Sequence, residues 1–561
     1  MSMTRTVDAL CDAMTNHEKA GQMVMGLNAP GWPGISDIDQ LIRDYHLGSV
    51  ISCGYRSLDP TSAAEQNNAL QRLAGGNRLG IPLLNAGDFE QGAVSQIPTG
   101  VTDLPQQMGI GAIHDRDAAE QAARIAGVEL KALGFQWTFS PAADVNLNPD
   151  NPVIGVRSFG DDPTQVAEMT AAQIRGYRAA GILSTAKHFP GHGAASVDSH
   201  LGLPLIATDR ATLERIHFPP FVAAIQQGVD AVMSAHVVVP SLDPDLPATL
   251  SPRVLTDILR DELGFQGIII TDLMTMGAIA ARWETEEAAV RAVLAGADIV
   301  LAGGATELPI RTIQALVRAM QEGILSVERV DASVRRVLTA KERLGLFERA
   351  TVETGEAESI AGSPDHLALA DDLTRRSVTL VRNEGILPFD PRAVGVTLVA
   401  GITNVADAGR RLVSHVPVIA EMVRSTCAGT TVAWQAGTDD PNESEIAEAT
   451  ALARTADRII VLTYAQGALP AGQARLVGAL LETNRPLVAI ALGTPYDLLA
   501  YPEVRAYLAC YALPFVSTYL PSSRAIAATV RVVFGQQPEG HLPVALPGQY
   551  PRGHGIRYSG S

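Results

Sequence analysis

The sequence predicts an α/β protein: a TIM-type (β/α)8 barrel at the N-terminal side, followed by a smaller α/β sandwich with a mainly parallel sheet. Three observations carry this. Eight short apolar runs alternate with helical stretches over the first 345 residues, an acidic polar stretch then interrupts the pattern, and a second series of six apolar runs follows.

The first eight runs are QMVMG (22–26), GSVIS (48–52), IPLLNAG (81–87), FQWTFSP (135–141), GILSTAKHF (181–189), DAVMSAHV (230–237), GIIITD (267–272) and DIVLAGG (298–304). They are short and do not alternate with polar residues, which is how strands buried on both faces read. Amphipathic stretches lie between several of them. One runs from about Asp117 to Leu133 and one from about Thr164 to Ala180, and each stops at a glycine, Gly134 and Gly181, placed to cap a helix in the left-handed conformation.

The segment 346–375 is acidic and helical in pattern and reads as a linker. The second series runs through SVTLVRN (377–383), VGVTLVAG (394–401), TTVAWQA (430–436), DRIIVLTYAQG (457–467), RPLVAIALG (485–493) and AYLACYA (506–512). No GxGxxG follows its first strand, so a dinucleotide role finds no support. The predicted organisation is therefore a catalytic barrel over 1–345, a linker over 346–375, a sandwich domain over 376–545 and a C-terminal tail over 546–561.

Composition narrows the function. With 43 basic and 60 acidic residues the chain carries a formal net charge of −17, which leaves no basic footprint for nucleic acid. No apolar run approaches the roughly 20 residues that span a bilayer, so no membrane association is expected. The N-terminus, with Asp8 and Asp12, does not read as a secretory signal. The four cysteines, Cys11, Cys53, Cys427 and Cys510, form neither a CxxC motif nor a disulfide framework, which suits a reducing, cytoplasmic location.

Reactive groups of such barrels sit where strands end. Polar residues cluster there: Asp88 after the third strand, Asp144 after the fourth, Lys187 and His188 after the fifth, His236 after the sixth and Asp272 after the seventh. Each, taken singly, also fits an ordinary solvated strand end, and Asp272 also fits a cap for the next helix. The richest segment is STAKHFPGHGAASVDSHLGLP, residues 184–204. Asp198 and His200 are two apart, so in an extended loop they project to one side, where the carboxylate can fix the imidazole's tautomer. An imidazole so held both gives and takes a proton near neutrality. Arg157, in NPVIGVRSFGDDP, offers a planar fork for a substrate or, more plainly, an ion pair with Asp161 or Asp162.

Taken together these segments resemble family 3 of the glycoside hydrolases, in its β-N-acetylglucosaminidase branch. KHFPGHG followed by DSH (Lys187–Gly193, Asp198–His200) is the most specific match. IGVRSFG (154–160), SPAADVN (140–146), MSAHV (233–237), GIIITD, RSVTLVRNEGILPF (376–389) and PGQYPRGHGI near the C-terminus extend it over nearly the whole chain. The resemblance implies Asp272 as nucleophile and His200 as acid/base oriented by Asp198. It implies Asp88, Arg157, Lys187 and His188 as contacts to the sugar, with a carbohydrate as substrate and no cofactor or metal. Retaining, exo-acting release of a terminal β-linked N-acetylhexosamine follows. The loop after the third strand departs from the branch's usual DQEGGRV, reading Asp88-Phe89-Glu90-Gln91-Gly92-Ala93-Val94, and Ala194-Ala195 stand where many members have Asp-Thr.

Other readings stand beside this one. A different sugar specificity within the family is one, and phosphorolysis is another, because a histidine acid/base repels an incoming anion less than a carboxylate does. A Schiff-base enzyme built on Lys187, a metal hydrolase built on His188, His192, His200 and His236, and a non-catalytic sugar-binding protein complete the set. Homodimerisation and a contribution of the second domain to the site are left open by the sequence.

Overall fold

The computed structural model describes residues 7–29, 35, 37–55, 58–406, 411–513 and 522–559. The chain forms two compact units. One comprises Met1–Thr102, Ala119–Asp144 and Ala167–His366; the other comprises Asp103–Ala118, Val145–Val166 and Leu367–Ser561.

In the first unit each of the eight expected runs holds or overlaps a strand: β1 Val24–Asn28, β2 Ser49–Ser52, β3 Leu84–Gly87, β4 Trp137–Thr138, β5 Thr185–Phe189, β6 Ala231–Ser234, β7 Ile268–Thr271 and β8 Val300–Leu301. All pair in parallel, β4-β3-β2-β1-β8 in one run and β5-β6-β7 in another. Single parallel bridges, Trp137 to Leu183 and Ile270 to Ile299, close the two seams into a ring in chain order. That is the predicted barrel.

Its strands look uniformly apolar because both faces are buried. Ile268 and Ile270 of β7 join an interior cluster with Met25, Leu84, Trp137 and Met233, while Ile269 and Val232 pack outward against the helices. The buried Trp137 indole donates to Thr185 Oγ1 at 2.6 Å, so its N–H is not left unpaired. Val337 and Ala340, from the helix Val327–Arg343, complete the interior cluster. The two expected helices span Arg116–Ala132 and Pro163–Ala180. Gly134 and Gly181 follow them at φ 82° and 79°, a conformation that costs glycine little and other residues more.

The second unit is built on a six-stranded sheet. Its strands are β9 Thr379–Asn383, β10 Val396–Gly401, β13 Thr430–Gln435, β14 Arg458–Thr463, β15 Leu487–Ala491 and β16 Ala506–Ala509. A two-stranded antiparallel hairpin, β11 Thr403–Ala406 with β12 Arg411–Ser414, was not anticipated from the sequence. The sheet order is β13-β10-β14-β15-β16-β9, parallel except for β9. Alternate residues of β14 and β15 serve two cores, Ile459, Val461 and Ala489 on one face and Ile460, Leu462 and Val488 on the other. Near the C-terminus, His554 Nε2 lies 2.8 Å from Val381 O and the Ile556 amide donates to Leu380 O, lines of hydrogen bonds along β9. No helix among the described residues is long and apolar enough to cross a membrane.

This unit holds one carboxyl in an apolar setting. Asp497 is buried, with Thr463 Oγ1 donating to it at 2.7 Å, and burial pushes its carboxyl up to about 7 against that single hydrogen bond. An acid whose folded value exceeds its unfolded one binds more protons when folded. Its contribution to stability is therefore greatest below the ordinary carboxylate range, falls from about pH 4 as pH rises, and levels off above about pH 7. Asp497→Asn is expected to flatten that slope. Urea denaturation at pH 5 and pH 8 measures it, and an unchanged slope in the variant contradicts the assignment.

Candidate active site

The carboxyl ends of the barrel strands gather Asp88, Asp144, Lys187, His188, His236 and Asp272, all in the first unit. The fifth strand makes an unusual arrangement possible. Its pairing with β6 slips between Lys187 and Phe189, so His188 is bulged out of the ladder. Two consecutive side chains, which a regular strand would send to opposite faces, then both meet carboxylates at neighbouring strand ends. Lys187 Nζ lies 2.8 Å from Asp88 Oδ1 and 2.7 Å from Glu90 Oε1, and His188 Nδ1 lies 2.8 Å from Asp144 Oδ2.

Lys187 is almost fully buried between those two carboxylates. Two anions beside it favour the ammonium form, which cannot attack a carbonyl, so the geometry argues against a Schiff-base lysine. Glu90 did not emerge from the sequence as a site residue. The signal was there: it stands two places after Asp88, the same spacing that pairs Asp198 with His200.

Asp144 is buried without exposed surface and holds two neighbours at once. It accepts from the His192 amide at 2.6 Å and faces the His188 ring. Burial works to raise its carboxyl, but the imidazoles of His188 and His192 outweigh that and keep it below its ordinary value. The carboxylate stays an acceptor, so His188 Nδ1 is the protonated nitrogen and Nε2 faces away from it.

Asp272 follows β7 directly. Its Oδ1 accepts the Leu273 amide at 2.7 Å. The next helix starts at Gly277 with Met276 as its cap residue, so Asp272 does not serve as the helix cap that the sequence left open. Burial pushes the carboxyl up, yet His236, His188 and His200 together hold it at about 2. All three imidazoles thus lie within electrostatic reach of one carboxylate. His236, buried behind it, stands 3.1 Å through Nε2 from Leu273 O and 2.8 Å through Nδ1 from Thr249 Oγ1. Burial lowers the His236 pKa and Asp272 opposes that.

The Asp198–His200 pair forms as the spacing predicted. Asp198 Oδ1 accepts from the His200 amide at 2.8 Å and lies 2.7 Å from His200 Nδ1. The His200 side chain is half exposed, the Asp198 side chain much less so. Burial raises the Asp198 carboxyl, but its bonds to His200 bring it below the ordinary value. An ionised Asp198 can only accept, which places a proton on Nδ1 and fixes the ring's tautomer. The loop is fastened to the strand-seven side: the Gly277 amide donates to His200 O and the Ala278 amide to Ser199 O, each at 3.1 Å. On its other flank Ser199 Oγ sits 3.1 Å from His192 Nε2. A side chain at Gly277 would begin 2.7 Å from His200 O, so this approach requires glycine.

Arg157 belongs to the second unit, in the segment Val145–Val166, where its Nη1 donates to Val153 O at 3.0 Å. Asp161 and Asp162, its plain ion-pair candidates, both face Arg552. The four histidines proposed for a metal each turn to a different partner: Asp144, Ser199, Asp198, and the Thr249 hydroxyl with the Leu273 carbonyl.

The strand ends of a parallel barrel thus carry a carboxylate held low, an Asp–His pair and buried ion pairs. The family model "Glycosyl hydrolase family 3 N terminal domain" matches residues 15–340, and "Glycosyl hydrolase family 3 C-terminal domain" matches residues 378–556. The chain belongs to glycoside hydrolase family 3. It is 33% identical over 385 residues to beta-hexosaminidase A of Pseudoalteromonas piscicida, covering 65% of this chain and 64% of that protein. It is 31% identical over 402 residues to a beta-N-acetylglucosaminidase/beta-glucosidase of Cellulomonas fimi, covering 70% and 69%. Alignment thus reaches slightly less than two thirds of the first relative's length and slightly more of the second's. Among solved structures, a family 3 beta-N-acetylglucosaminidase from Paenibacillus sp. str. FPU-7 superposes with a TM-score of 0.85 at 34% identity, covering 95% of this chain and 99% of that one.

Proposed function

We propose that this protein is an exo-acting, retaining β-N-acetylhexosaminidase that releases terminal β-linked N-acetylglucosamine, with its chemistry in the barrel predicted for 1–345. One observation supports the reading: the Asp198–His200 loop is hydrogen-bonded to the start of the helix at Gly277, shortly after Asp272, in keeping with a tautomer-fixed imidazole and an ionised carboxylate that work at one mouth. The names of the Pseudoalteromonas and Paenibacillus relatives support the choice of sugar.

In the first step Asp272 attacks the anomeric carbon while His200, as imidazolium, gives its Nε2 proton to the leaving oxygen. Asp198 steadies the imidazolium and keeps the ring oriented. In the second step the neutral imidazole takes a proton from water, which displaces Asp272 and restores the β-configuration. Lys187, held by Asp88 and Glu90, presents a donor for sugar hydroxyls, and His188, whose Nδ1–H is taken by Asp144, presents its Nε2 as an acceptor. Asp88 adds an acceptor, and Arg157 adds a guanidinium by family resemblance. The cysteines Cys11, Cys53, Cys427 and Cys510, none of them in a disulfide, favour a cytoplasmic location.

The test is labelling by a 5-fluoro N-acetylglucosaminyl fluoride followed by peptide mass analysis. One sugar mass on the peptide holding Asp272 is expected. No adduct with any hexosamine or hexose donor rejects the reading, and an adduct elsewhere rejects the assignment.

A further inference from the structure

The loop that carries His200 is apolar on its outer surface. Nine large apolar side chains are exposed among the described residues, and three of them, Val197, Leu201 and Leu205, belong to this one loop. Scattered exposed apolar residues need no explanation, but a concentration beside a reactive group does. Leu201 is 84% exposed and follows His200 directly.

The loop's own folding keeps these side chains outside. The amides of Leu201 and Gly202 both donate to Asp198 O at 3.0 Å, forming a turn that brings Val197 alongside. Val197 Cγ1 comes within 3.7 Å of where a side chain at Gly202 would start. The bonds to Gly277, Ala278 and His192 fasten Ser199 and His200, and the Leu201 side chain stays on the outside.

Function supplies the occupant. An acid that protonates the leaving oxygen must touch it, and whatever is bonded to that oxygen lies against the acid's neighbours. The groups that await the sugar are polar or charged: Asp88, Lys187, His188 and Asp272. The exposed groups of the same loop, Leu201 directly after His200 and Val197 beside Gly202, are isobutyl and isopropyl. Building on the hexosaminidase reading, we propose that Val197 and Leu201 line the leaving-group side of the site and select β-glycosides whose aglycone is an apolar alcohol. A second sugar, whose hydroxyls find no partners on these side chains, is disfavoured there.

The experiment compares kcat/KM for the 2-phenylethyl β-glycoside of N-acetylglucosamine with that for the β-1,4-linked disaccharide, each divided by the value for the β-glycosyl fluoride. Fluoride has no aglycone to contact and needs no acid, so it reads the sugar side and the nucleophile alone. The parent protein is expected to favour the phenylethyl donor by about tenfold, Leu201→Ser to lose most of that preference, and Leu201→Met to keep it. A preference for the disaccharide, or a ratio unchanged in Leu201→Ser and Val197→Ser, overturns the proposal while leaving the hexosaminidase reading intact. Equal losses on all three donors also overturn it, since they mark a loop that has merely shifted. A parent protein that does not turn over the fluoride fails on the underlying reading, and the proposal falls with it.

Discussion

Replacing Asp272 by asparagine is expected to lower kcat on aryl β-N-acetylglucosaminides by about 10⁴-fold or more, with folding stability largely retained. The substitution keeps the shape and removes the anion. A barrier increase of about 5.5 kcal/mol corresponds to such a loss. Asp272 is suited to attack because it is ionised at every pH where the protein would be assayed: burial alone would raise it, but three surrounding imidazoles hold it at about 2. A rate that declines on the acid side must then report another group. Steady-state kinetics with an aryl donor checks the prediction, together with disappearance of the sugar adduct from the labelled peptide. Retention of more than about one hundredth of the parent kcat would remove Asp272 from the nucleophile's role.

The second large effect concerns His200, and its size depends on the substrate. His200→Gln is expected to slow donors with alkyl leaving groups by about 10²–10⁴-fold, the range attributed to general acid catalysis. A dinitrophenyl or fluoride leaving group departs without a proton, so the first step of those donors is expected to change by less than about tenfold. Asp198→Asn is expected to show the same pattern with smaller losses, because the 2.7 Å contact to Nδ1 both fixes the tautomer and steadies the imidazolium. A plot of log kcat/KM against leaving-group pKa is the measurement. A steeper slope in both variants supports the roles, and a uniform drop across the series contradicts them.

Other histidines in the neighbourhood do different work, which separates the two predictions from a general loss of charge. His236 touches the backbone that follows Asp272, and burial keeps its pKa low. His188 is bound to a fully buried carboxylate. Of the three imidazoles that hold Asp272 down, His200 is the one that is half exposed.

Much of this was legible in the chain. Eight apolar runs gave eight barrel strands because burial on both faces of a strand removes polar residues from it, whatever the details of packing. Glycines after Leu133 and Ala180 marked two helix ends because a left-handed residue is needed there. Asp198 and His200 were paired from spacing alone, since contact at a separation of two depends only on local backbone. The hairpin β11–β12 was missed because TNVA and RLVS hold only two apolar residues each, too few to read as apolar runs.

What the sequence determined by itself is therefore what local rules decide: the strands, the helix ends, the Asp–His pair and the identity of the strand-end residues. Only the tertiary structure decided which charges meet. Lys187 lies 99 residues from Asp88, and the His188 ring lies 44 residues from Asp144. Those contacts arise because the ring of parallel strands brings distant carboxyl ends together, and because a bulge at His188 turns two adjacent side chains to the same side. The charge state of Asp272 has the same origin. It is set by three imidazoles that no spacing rule connects to it.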